Sequence, residues 1–314
     1  MMKSIKQLIK KAFKNYYLYK AFYLIRYYIP YIVLGEDRYA MSETIRKWKK
    51  YKFIKPLNLD HPQTLNEKIQ WLKLNVKENF HTICADKLTS RKYWVDKIHN
   101  ESYLVPLLFY TYDWKDIRID VLPDEPFVIK SSSGSDSYHI IRNKKSVNIK
   151  QLRNDCRRWL CSNYYLISQE WQYKNVKPAI IIEKLLLDKN GRIPNDYKFH
   201  YMNGELAFVY CAVDREGTNY RSIYSPDWKM MDVEWVSSNS HAGAVGAPIE
   251  RPYNYEEMIR ISSIIAKDFK YVRVDFYEVD KKLYYGEITL HHGSGYDHFI
   301  PEKWDEILGS KLQL

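Results

Sequence analysis

Apolar and polar residues alternate in several short segments of the chain, a spacing typical of strands with one buried face. Strands are predicted for 127–130, 138–141, 179–183, 197–201, 206–212, 271–279 and 283–290. The pair Asn203-Gly204 joins two of these segments and predicts a tight β-hairpin. The last two segments predict a second hairpin, with residues 280–282 as a three-residue turn.

Other segments have apolar residues at the three- and four-residue spacing of helices. Thr64 and Glu67 have the spacing of a capping box and predict a helix that begins at residue 65. Three further helices are predicted: after Asp86, over about 149–160, and from Asn254 through Phe269, capped by Asn254 and Glu257. Strands and helices do not alternate as regular βαβ units, so the pattern favours an α+β fold.

The first 34 residues have a different pattern. Lysines surround a single apolar helical face made of Ile5, Leu8, Ile9, Ala12 and Phe13. Residues 16–34 mix tyrosines with Leu and Ile, but Lys20, Arg26 and Pro30 interrupt them, so the stretch is a poor membrane span and a poor signal peptide. A basic amphipathic helix with an aromatic belt favours contact with an anionic leaflet, at the inner face of the plasma membrane. The alternative is a helical pair that packs on the protein's own body or on a partner.

The charge distribution also sets this segment apart. The 314 residues include 49 Lys and Arg against 38 Asp and Glu, a formal net charge of +11. Residues 1–34 contribute +7 of this and contain no acid. Enzymes that act on nucleic acid usually spread their basic surface over the folded body, so no nucleic-acid partner is expected. Four cysteines without a C-x-x-C pair argue against a disulfide framework or a zinc ribbon and favour a cytoplasmic protein with reduced thiols.

The last predicted hairpin carries the most informative polar residues. With a three-residue turn, Asp275 lies opposite Glu287, and Arg273 shares their face of the sheet. Two facing carboxylates repel each other unless a cation lies between them, and their oxygens suit Mg²⁺. The alternative is that Arg273 neutralises both acids at an exposed surface without a metal.

A serine-rich loop, residues 131–137, follows Lys130 between two predicted strands. Its backbone N–H groups and hydroxyls suit an anion, and Lys130 adds a positive charge beside it. The loop is not a P-loop, because the G-x-x-x-x-G-K motif is missing. A polar hairpin turn explains it equally well. However, four of the chain's 11 glycines lie in this loop and around the last hairpin: Gly134, Gly286, Gly293 and Gly295.

Together these features resemble the ATP-grasp superfamily. Five strings more closely resemble its teichuronopeptide-biosynthesis (TupA-like) branch, whose members are encoded among cell-surface polysaccharide functions and are often labelled glycosyltransferases. The strings are NEKIQWL (66–72), CADK (84–87), EWQYK (170–174), DYKF (196–199) and VRVDFY (272–277). The resemblance covers roughly residues 60–305 and is specific at family level.

The resemblance implies an ATP-grasp fold with a mobile lid subdomain, placed after the basic N-terminal segment. The expected divisions are 1–40 for that segment, 41–125 for an N-terminal subdomain, 126–183 for the lid and 184–314 for a C-terminal subdomain with the metal site. The implied cofactors are ATP and Mg²⁺.

The same resemblance implies roles for single residues. The expected nucleotide contacts are Lys87, Lys130, Ser132, Ser133, Gly134, Ser135 and Lys198 around the phosphates, Glu183 at the ribose, and the backbone of Lys184 and Leu185 at the adenine. The expected metal ligands are Asp275, Glu287 and Thr289, although the superfamily usually has Asn where Thr289 stands. Arg273 and Lys130 would be catalytic, with Arg273 stabilising an acyl-phosphate transition state.

The implied reaction is ATP-dependent joining of a carboxylate and an amine through an acyl phosphate. In a polysaccharide setting, the expected substrates are an amino acid or other amine and a uronic acid. By residue type alone, the candidates for holding the acidic sugar are Lys198, Arg215, Arg221 and Trp228. The alternatives are a glycosyltransferase, against which the absence of D-x-D counts, an ATP-grasp sugar kinase, and a non-catalytic membrane adaptor.

Overall fold

The chain folds around three antiparallel sheets. The computed structural model describes residues 15–51, 53, 55–214, 216–237 and 245–314. The described strands are β1 (Leu107–Thr111), β2 (Phe127–Ser131), β3 (Tyr138–Ile141), β4 (Ile180–Lys184), β5 (Asp196–Met202), β6 (Glu205–Val213), β7 (Tyr220–Tyr224), β8 (Glu234–Val236), β9 (Tyr271–Val279), β10 (Lys282–Thr289) and β11 (His298–Ile300). The largest sheet has the order β10-β9-β5-β6-β7, the second β1-β4-β2-β3, and β11 pairs with β8.

Helices precede and flank the sheets. The described α-helices are α1 (Tyr16–Tyr23), α2 (Ile29–Leu34), α3 (Glu36–Lys50), α4 (Leu65–Asn75), α5 (Asn79–Ala85), α6 (Ser90–Ile98), α7 (Ile149–Cys161), α8 (Tyr164–Ser168), α9 (Tyr255–Ala266) and α10 (Lys303–Lys311). A π-helical segment, Leu24–Tyr28, joins α1 to α2. Short 3₁₀ turns cover Glu101–Tyr103, Trp114–Asp116, Lys144–Ser146, Trp171–Tyr173 and His292–Gly295.

The main core lies on one face of the five-stranded sheet, where α6 and α9 pack. Trp94 of α6 stacks on Tyr285 of β10 with ring centroids 4.1 Å apart. Met258 and Ile261 of α9 are fully buried in the same cluster. On the sheet's opposite face, Phe208 and Ile223 pack with Leu65 of α4 in a second cluster. The rest of that face carries polar side chains, and these line the candidate site.

Helix α4 fixes the end of that polar face. Its predicted capping box is confirmed, because Thr64 accepts from the Glu67 N–H and Glu67 accepts from the Thr64 N–H. The buried Asn66 donates to the carboxylate of Asp305 and to the carbonyl of Asp297, which lie on and before α10. The first residue of the string 66–72 therefore holds α4 against the C-terminal elements.

Four of the tyrosines in residues 16–34 pack on the body, whereas Tyr17 and Tyr28 are exposed, so the aromatic belt that the sequence predicts faces outward only in part. Tyr23 is buried together with Tyr39, Tyr165 and Leu166, and Tyr19, Tyr27 and Tyr31 pack against the same cluster. A spacing of four residues rotates about 40° per step in an α-helix, so such a row would drift around the helix. The wider π turn at Leu24–Tyr28 counters this drift and keeps the row against the body.

The α+β class and all seven predicted strands are confirmed, with ends within about two residues. Strands β1, β7, β8 and β11 are additional. The turn of the last hairpin was predicted wrongly, because Val279 pairs with Lys282 and the turn has two residues, both with positive φ: Asp280 and Lys281. The predicted cap of α9 is also wrong, because Asn254 makes no side-chain cap and donates instead to Glu278. That helix ends at Ala266.

The predicted division into 1–40, 41–125, 126–183 and 184–314 stays a prediction. Strand β1, from the predicted N-terminal subdomain, pairs with β4 of the predicted lid. Residues 1–14, which carry the predicted basic amphipathic helix, lie outside the described part. None of the helices in the described part is long and apolar enough to span a bilayer.

Gly309 offers a test of the packing between α10 and α4. A Cβ added there would lie 2.2 Å from the carbonyl oxygen of Gln63 and 2.7 Å from the amide nitrogen of Leu65. Neither backbone atom can move without shifting the start of α4, so Gly309→Ala should lower the free energy of unfolding by roughly 1–3 kcal/mol. Urea unfolding measures the effect, and Ser310→Ala, at the exposed next position, is the matched control. Equal midpoints for both variants would contradict the packing.

Candidate functional site

A cavity of about 260 Å³ lies where the polar face of the five-stranded sheet meets the four-stranded sheet and the 131–137 loop. The cavity brings together residues from five separate parts of the sequence. Its wall includes these charged residues: Lys87, Lys130, Glu183, Asp196, Lys198, Asp275 and Glu287. The sequence predicted all of these except Asp196 as site residues.

A bulge in β10 puts the two acids of the last hairpin on one face. With the two-residue turn, the pairing next to the turn is shifted by one residue from the predicted register. If this register continued to the end of β10, Glu287 would point to the core. Between the pairs Tyr285–Phe276 and Ile288–Val274 the register shifts, so Gly286 and Glu287 together face Asp275. Such a bulge turns the following side chains over to the other face. Asp275, Glu287 and Thr289 therefore share a face as predicted, for a different reason.

The floor of the cavity is a row of alternating charges. Lys198 donates to Asp275 at 2.7 Å and to Asp196 at 2.5 Å. Arg273 donates to both carboxylate oxygens of Asp275, at 2.6 and 2.7 Å, and to Glu287 at 2.7 Å. We call Asp196, Lys198, Asp275, Arg273 and Glu287 the charge row. Every ion in it touches an ion of opposite sign, which offsets much of the cost of placing these charges in the sheet, and Lys87 lies 3.7 Å from the third acid, Glu287.

The surroundings shift the pKa values of Asp275 and Glu287 in opposite directions. Burial and the neighbouring carboxylates of Asp196 and Glu287 raise the pKa of Asp275, although Arg273 and Lys198 oppose them. Burial would also raise the pKa of Glu287, but Lys87 and Arg273 outweigh it and lower that pKa to about 2. Glu287 is therefore a carboxylate at any ordinary pH.

The 131–137 loop covers the row from above. Lys87 donates to the carbonyl of Gly134 at 2.6 Å and lies 3.7 Å from Glu287. Gly134 has φ +79°, and a Cβ there would lie 2.5 Å from the ring of Tyr164, so only glycine fits beneath this ring. Tyr164 also bonds to the hydroxyl of Ser135 at 2.7 Å. Tyr164 is a site residue that sequence reasoning missed.

Two of the predicted loop residues point away from the cavity. Ser132 is fully buried, and both its amide and its hydroxyl bond to the backbone of Ala179, at 2.8 and 3.0 Å. Ser133 is also buried and does not line the cavity. Gly134 and Ser135 do line it. The two serines therefore fix the base of the loop, and the predicted contact of Gly134 and Ser135 with an anion stays a prediction.

Glu183, one residue before the end of β4, lies at the side of the cavity, where two cations contact it. Lys130 lies 2.6 Å from its carboxylate and Arg91 lies 3.1 Å from it. Arg91, which the sequence did not single out, also donates to the carbonyl of Val105 at 2.8 Å. Glu183 and Lys130 thus form one paired unit next to the charge row.

Lys184 and Leu185 line the cavity beyond Glu183, as predicted. Their backbone N–H groups, however, donate to the carbonyls of Pro106 and Pro126, each at 3.0 Å. The predicted use of their backbone by an adenine is therefore restricted to the carbonyl oxygens.

Thr289 stands beside the acids, and its hydroxyl donates to Glu287 at 3.1 Å. In the described residues, no cluster of three or more His, Cys, Asp or Glu side chains could hold a metal ion unaided. Asp275 and Glu287 supply hard carboxylate oxygens that suit Mg²⁺, whose shell is commonly completed by water and substrate phosphates. The donors present therefore fit a magnesium ion that arrives with a polyphosphate.

A neutral buried triad closes the far end of the polar face. Tyr271 lies 2.8 Å from Nδ1 of His200 and 2.8 Å from Nδ1 of His292. One phenol carries one proton, so one imidazole donates to it and the other accepts from it. The pKa of His200 and that of His292 are lowered by burial first and then by nearby cations, in the case of His292 to about 3.

The glycine loop 293–295 is held by α4. Its three residues all have positive φ: Gly293, Ser294 and Gly295. Gln70 donates to the carbonyls of Ser294 and Gly295 at 3.0 and 2.6 Å, and the buried Lys73 donates to the Ser294 carbonyl at 3.0 Å. This contact explains the string 66–72 as a support for the loop after β10. Neither Gln70 nor Lys73 stood out as a site residue in the sequence.

The residues suggested for holding an acidic sugar lie at different places in the structure. Lys198 belongs to the charge row, and Arg221 pairs with Ala212, which faces Asp196 across β5 and β6. Trp228 lies on the opposite face, packed on Tyr224 with its indole donating to the carbonyl of Ile249, so it is separated from the charge row and its role stays a prediction. Arg215 lies outside the described residues.

The sequence model of a family described as TupA-like ATPgrasp matches residues 67–313. The search of curated proteins gives no significant match.

The similarity of this chain to solved structures is low. D-alanine–D-alanine ligase from Bacillus anthracis, complexed with ATP, has 16% identity and a TM-score of 0.37 over 67% of this chain and 55% of its own. The ligase from Helicobacter pylori has 16% identity and a TM-score of 0.38 over 74% and 62%. D-cycloserine synthetase DcsG has 11% identity and a TM-score of 0.39 over 73% and 71%. The chain thus spans less than two thirds of the length of the two D-alanine–D-alanine ligases.

The buried triad predicts a pH dependence of stability. In the unfolded chain a histidine binds a proton below about pH 6.5, whereas folded His292 stays neutral down to about pH 3. Stability is therefore lost as the pH falls through 6.5, by about 2 kcal/mol between pH 7 and pH 5 for such a group. His292→Asn keeps an amide near Tyr271 but cannot titrate, so its unfolding free energy should fall less over this range. Urea unfolding at both pH values tests this against the exposed control His61→Asn; identical slopes in wild type and His292→Asn would refute it.

Proposed function

We propose that this chain, which belongs to the TupA-like ATP-grasp family, is an ATP-dependent carboxylate–amine ligase. Its substrates would be a uronic-acid carboxylate of a cell-surface polysaccharide intermediate and an amino acid or another amine. The reaction would take place in the cytoplasm, at or near the inner face of the plasma membrane. The observation that carries the proposal is the charge row beneath the 131–137 loop.

Each charge of the row would find a partner of opposite sign in a magnesium–polyphosphate complex. Asp275 and Glu287 would hold the metal, assisted by the hydroxyl of Thr289. Lys87, Lys130, Lys198 and Arg273 would exchange their present carboxylate partners for phosphate oxygens. Bound Mg-ATP would supply the phosphoryl group that activates the acceptor carboxylate.

The protein's own contribution is electrostatic. Arg273 and Lys130 are each held beside a carboxylate before any ligand binds, so both charges would already lie at the site where negative charge develops on the transferred group. The loop around Gly134 and Ser135 would exclude water from the reacting groups, as the hydrolysis of an activated carboxylate competes with amide formation.

Nucleotide binding is the first test. Saturating Mg-ATP should raise the melting temperature of the full chain, since a ligand at a hundredfold its Kd adds about 2.7 kcal/mol to the unfolding free energy. Asp275→Asn and Glu287→Gln should remove the part of this increase that requires Mg²⁺, because each removes a metal oxygen ligand. Glu205→Gln, in the exposed end of the β5–β6 hairpin, is the matched control.

The same assay with UDP-sugars separates the main alternative. Stabilisation by a UDP-sugar together with no response to Mg-ATP would overturn the ligase proposal in favour of a glycosyltransferase.

Product analysis is the second test. With ATP, a glucuronate or galacturonate oligosaccharide and a panel of amino acids, a ligase should release ADP and phosphate only when both substrates are present. Mass spectrometry should then show the sugar joined to the amine with loss of water. Transfer of phosphate onto the sugar, with no need for an amine, would identify a kinase instead.

A further inference from the structure

Residues 16–34 present two unlike faces. The tyrosine row Tyr19, Tyr23, Tyr27 and Tyr31 packs on the body. The opposite side is exposed and apolar, at alternating spacings of four and three residues. We call it the outer stripe: Leu18, Phe22, Ile25, Ile29, Ile32 and Val33. Ile25 and Val33 are 69% and 75% exposed, so most of the surface of these two side chains faces solvent.

The next helix also exposes apolar side chains. Met41 and Ile45 of α3 are exposed apolar residues too. An ion pair joins the two segments, because Glu43 of α3 accepts from Arg26 of the preceding π-helical segment at 2.8 Å. The exposed apolar surface is therefore part of the rigid protein and not of a loose extension.

The exposed charges around this surface are mostly positive. Between residues 15 and 50 the exposed ionic side chains are Lys20, Arg38, Arg46, Lys49 and Lys50 against the single acid Asp37, which bonds to Lys77 at 2.8 Å. The sequence adds five lysines and no acid in residues 1–14. A protein partner with an apolar patch alone would not require this excess of cations.

We propose that the outer stripe docks this protein on the surface of an anionic lipid bilayer. The aliphatic and Phe side chains would enter the boundary between headgroups and acyl chains, and the flanking cations would contact the anionic headgroups. The tyrosine row attaches this element to the body. The sequence had instead predicted that tyrosines of this segment would face the membrane. The inference goes beyond the proposed catalytic function and does not depend on its substrates.

The test is vesicle flotation with the full chain and no nucleotide. Wild type should bind vesicles that contain phosphatidylglycerol, bind phosphatidylcholine vesicles weakly, and lose binding at high salt. Ile25→Ser/Ile29→Ser should reduce binding to phosphatidylglycerol vesicles roughly tenfold or more, because it removes apolar area from the stripe.

A matched control carries the same change elsewhere. Ile83 and Ile119 are each 47% exposed and lie outside the stripe, so Ile83→Ser/Ile119→Ser should bind like wild type. Melting temperatures near the wild-type value would show that both double variants are folded; if the stripe variant is not, the single variant Ile25→Ser replaces it. The single variant should weaken binding in the same direction.

Three results would overturn the proposal. The first is equal binding of the stripe variant and the control, and the second is equal binding to neutral and anionic vesicles. The third is no vesicle binding together with a dimer in solution that Ile25→Ser/Ile29→Ser dissociates, since the stripe would then be an interface between two copies of this chain. Vesicle binding is measured without nucleotide, so an absence of ligase activity in the tests above would not change its result.

Discussion

The requirement that buried charges be paired determines how the site is built. Arg273 is the central member of the charge row, because it bonds to Asp275 and Glu287 at once. Removing either acid would leave part of the guanidinium uncompensated within the sheet, which is costly. The row needs β5, β9 and β10 in one register, and that register exists only because β10 carries a bulge at Gly286. A Cβ at Gly286 would lie 3.0 Å from the backbone oxygen of Asp275, so the glycine lets the bulge sit close to the acid.

The loop above the row depends on a segment that also supports the N-terminal helices. Tyr23 accepts from the N–H of Asn163 at 2.9 Å, and Tyr31 packs on Tyr165. Tyr164, between these two residues, lies over Gly134. Three consecutive residues therefore connect the element that carries the outer stripe to the loop over the cavity. A bilayer that holds the N-terminal helices would hold this connection as well, and the cavity would keep a fixed position relative to the membrane surface.

The sequence could predict the strands and the meeting of the site's charged residues, but not the details that bring them together. Periodicity located β9 and β10, yet the Asp280-Lys281 turn lacks the glycine that marks a two-residue hairpin. The bulge at Gly286 corrects the register, and no local pattern distinguishes a bulge glycine from one that approaches a ligand. Similarly, the buried bonds of Ser132 and the support of Ser294 by Gln70 and Lys73 join residues far apart in sequence, where periodicity has no information.

The pairing within the row also bears on which ligand fits it. A free polyphosphate would compete with Asp275 and Glu287 for Arg273 and Lys198 and would leave both acids without partners. A free divalent cation would take both acids, which would leave Arg273 without its two carboxylates and Lys198 with Asp196 alone. Only a ligand with both signs, with the metal at the acids and the phosphates at the cations, replaces every pair at once. The charge row therefore favours a metal–polyphosphate complex over either component alone, and Lys87, now bonded to the Gly134 carbonyl, is the cation placed to exchange a loop contact for a phosphate.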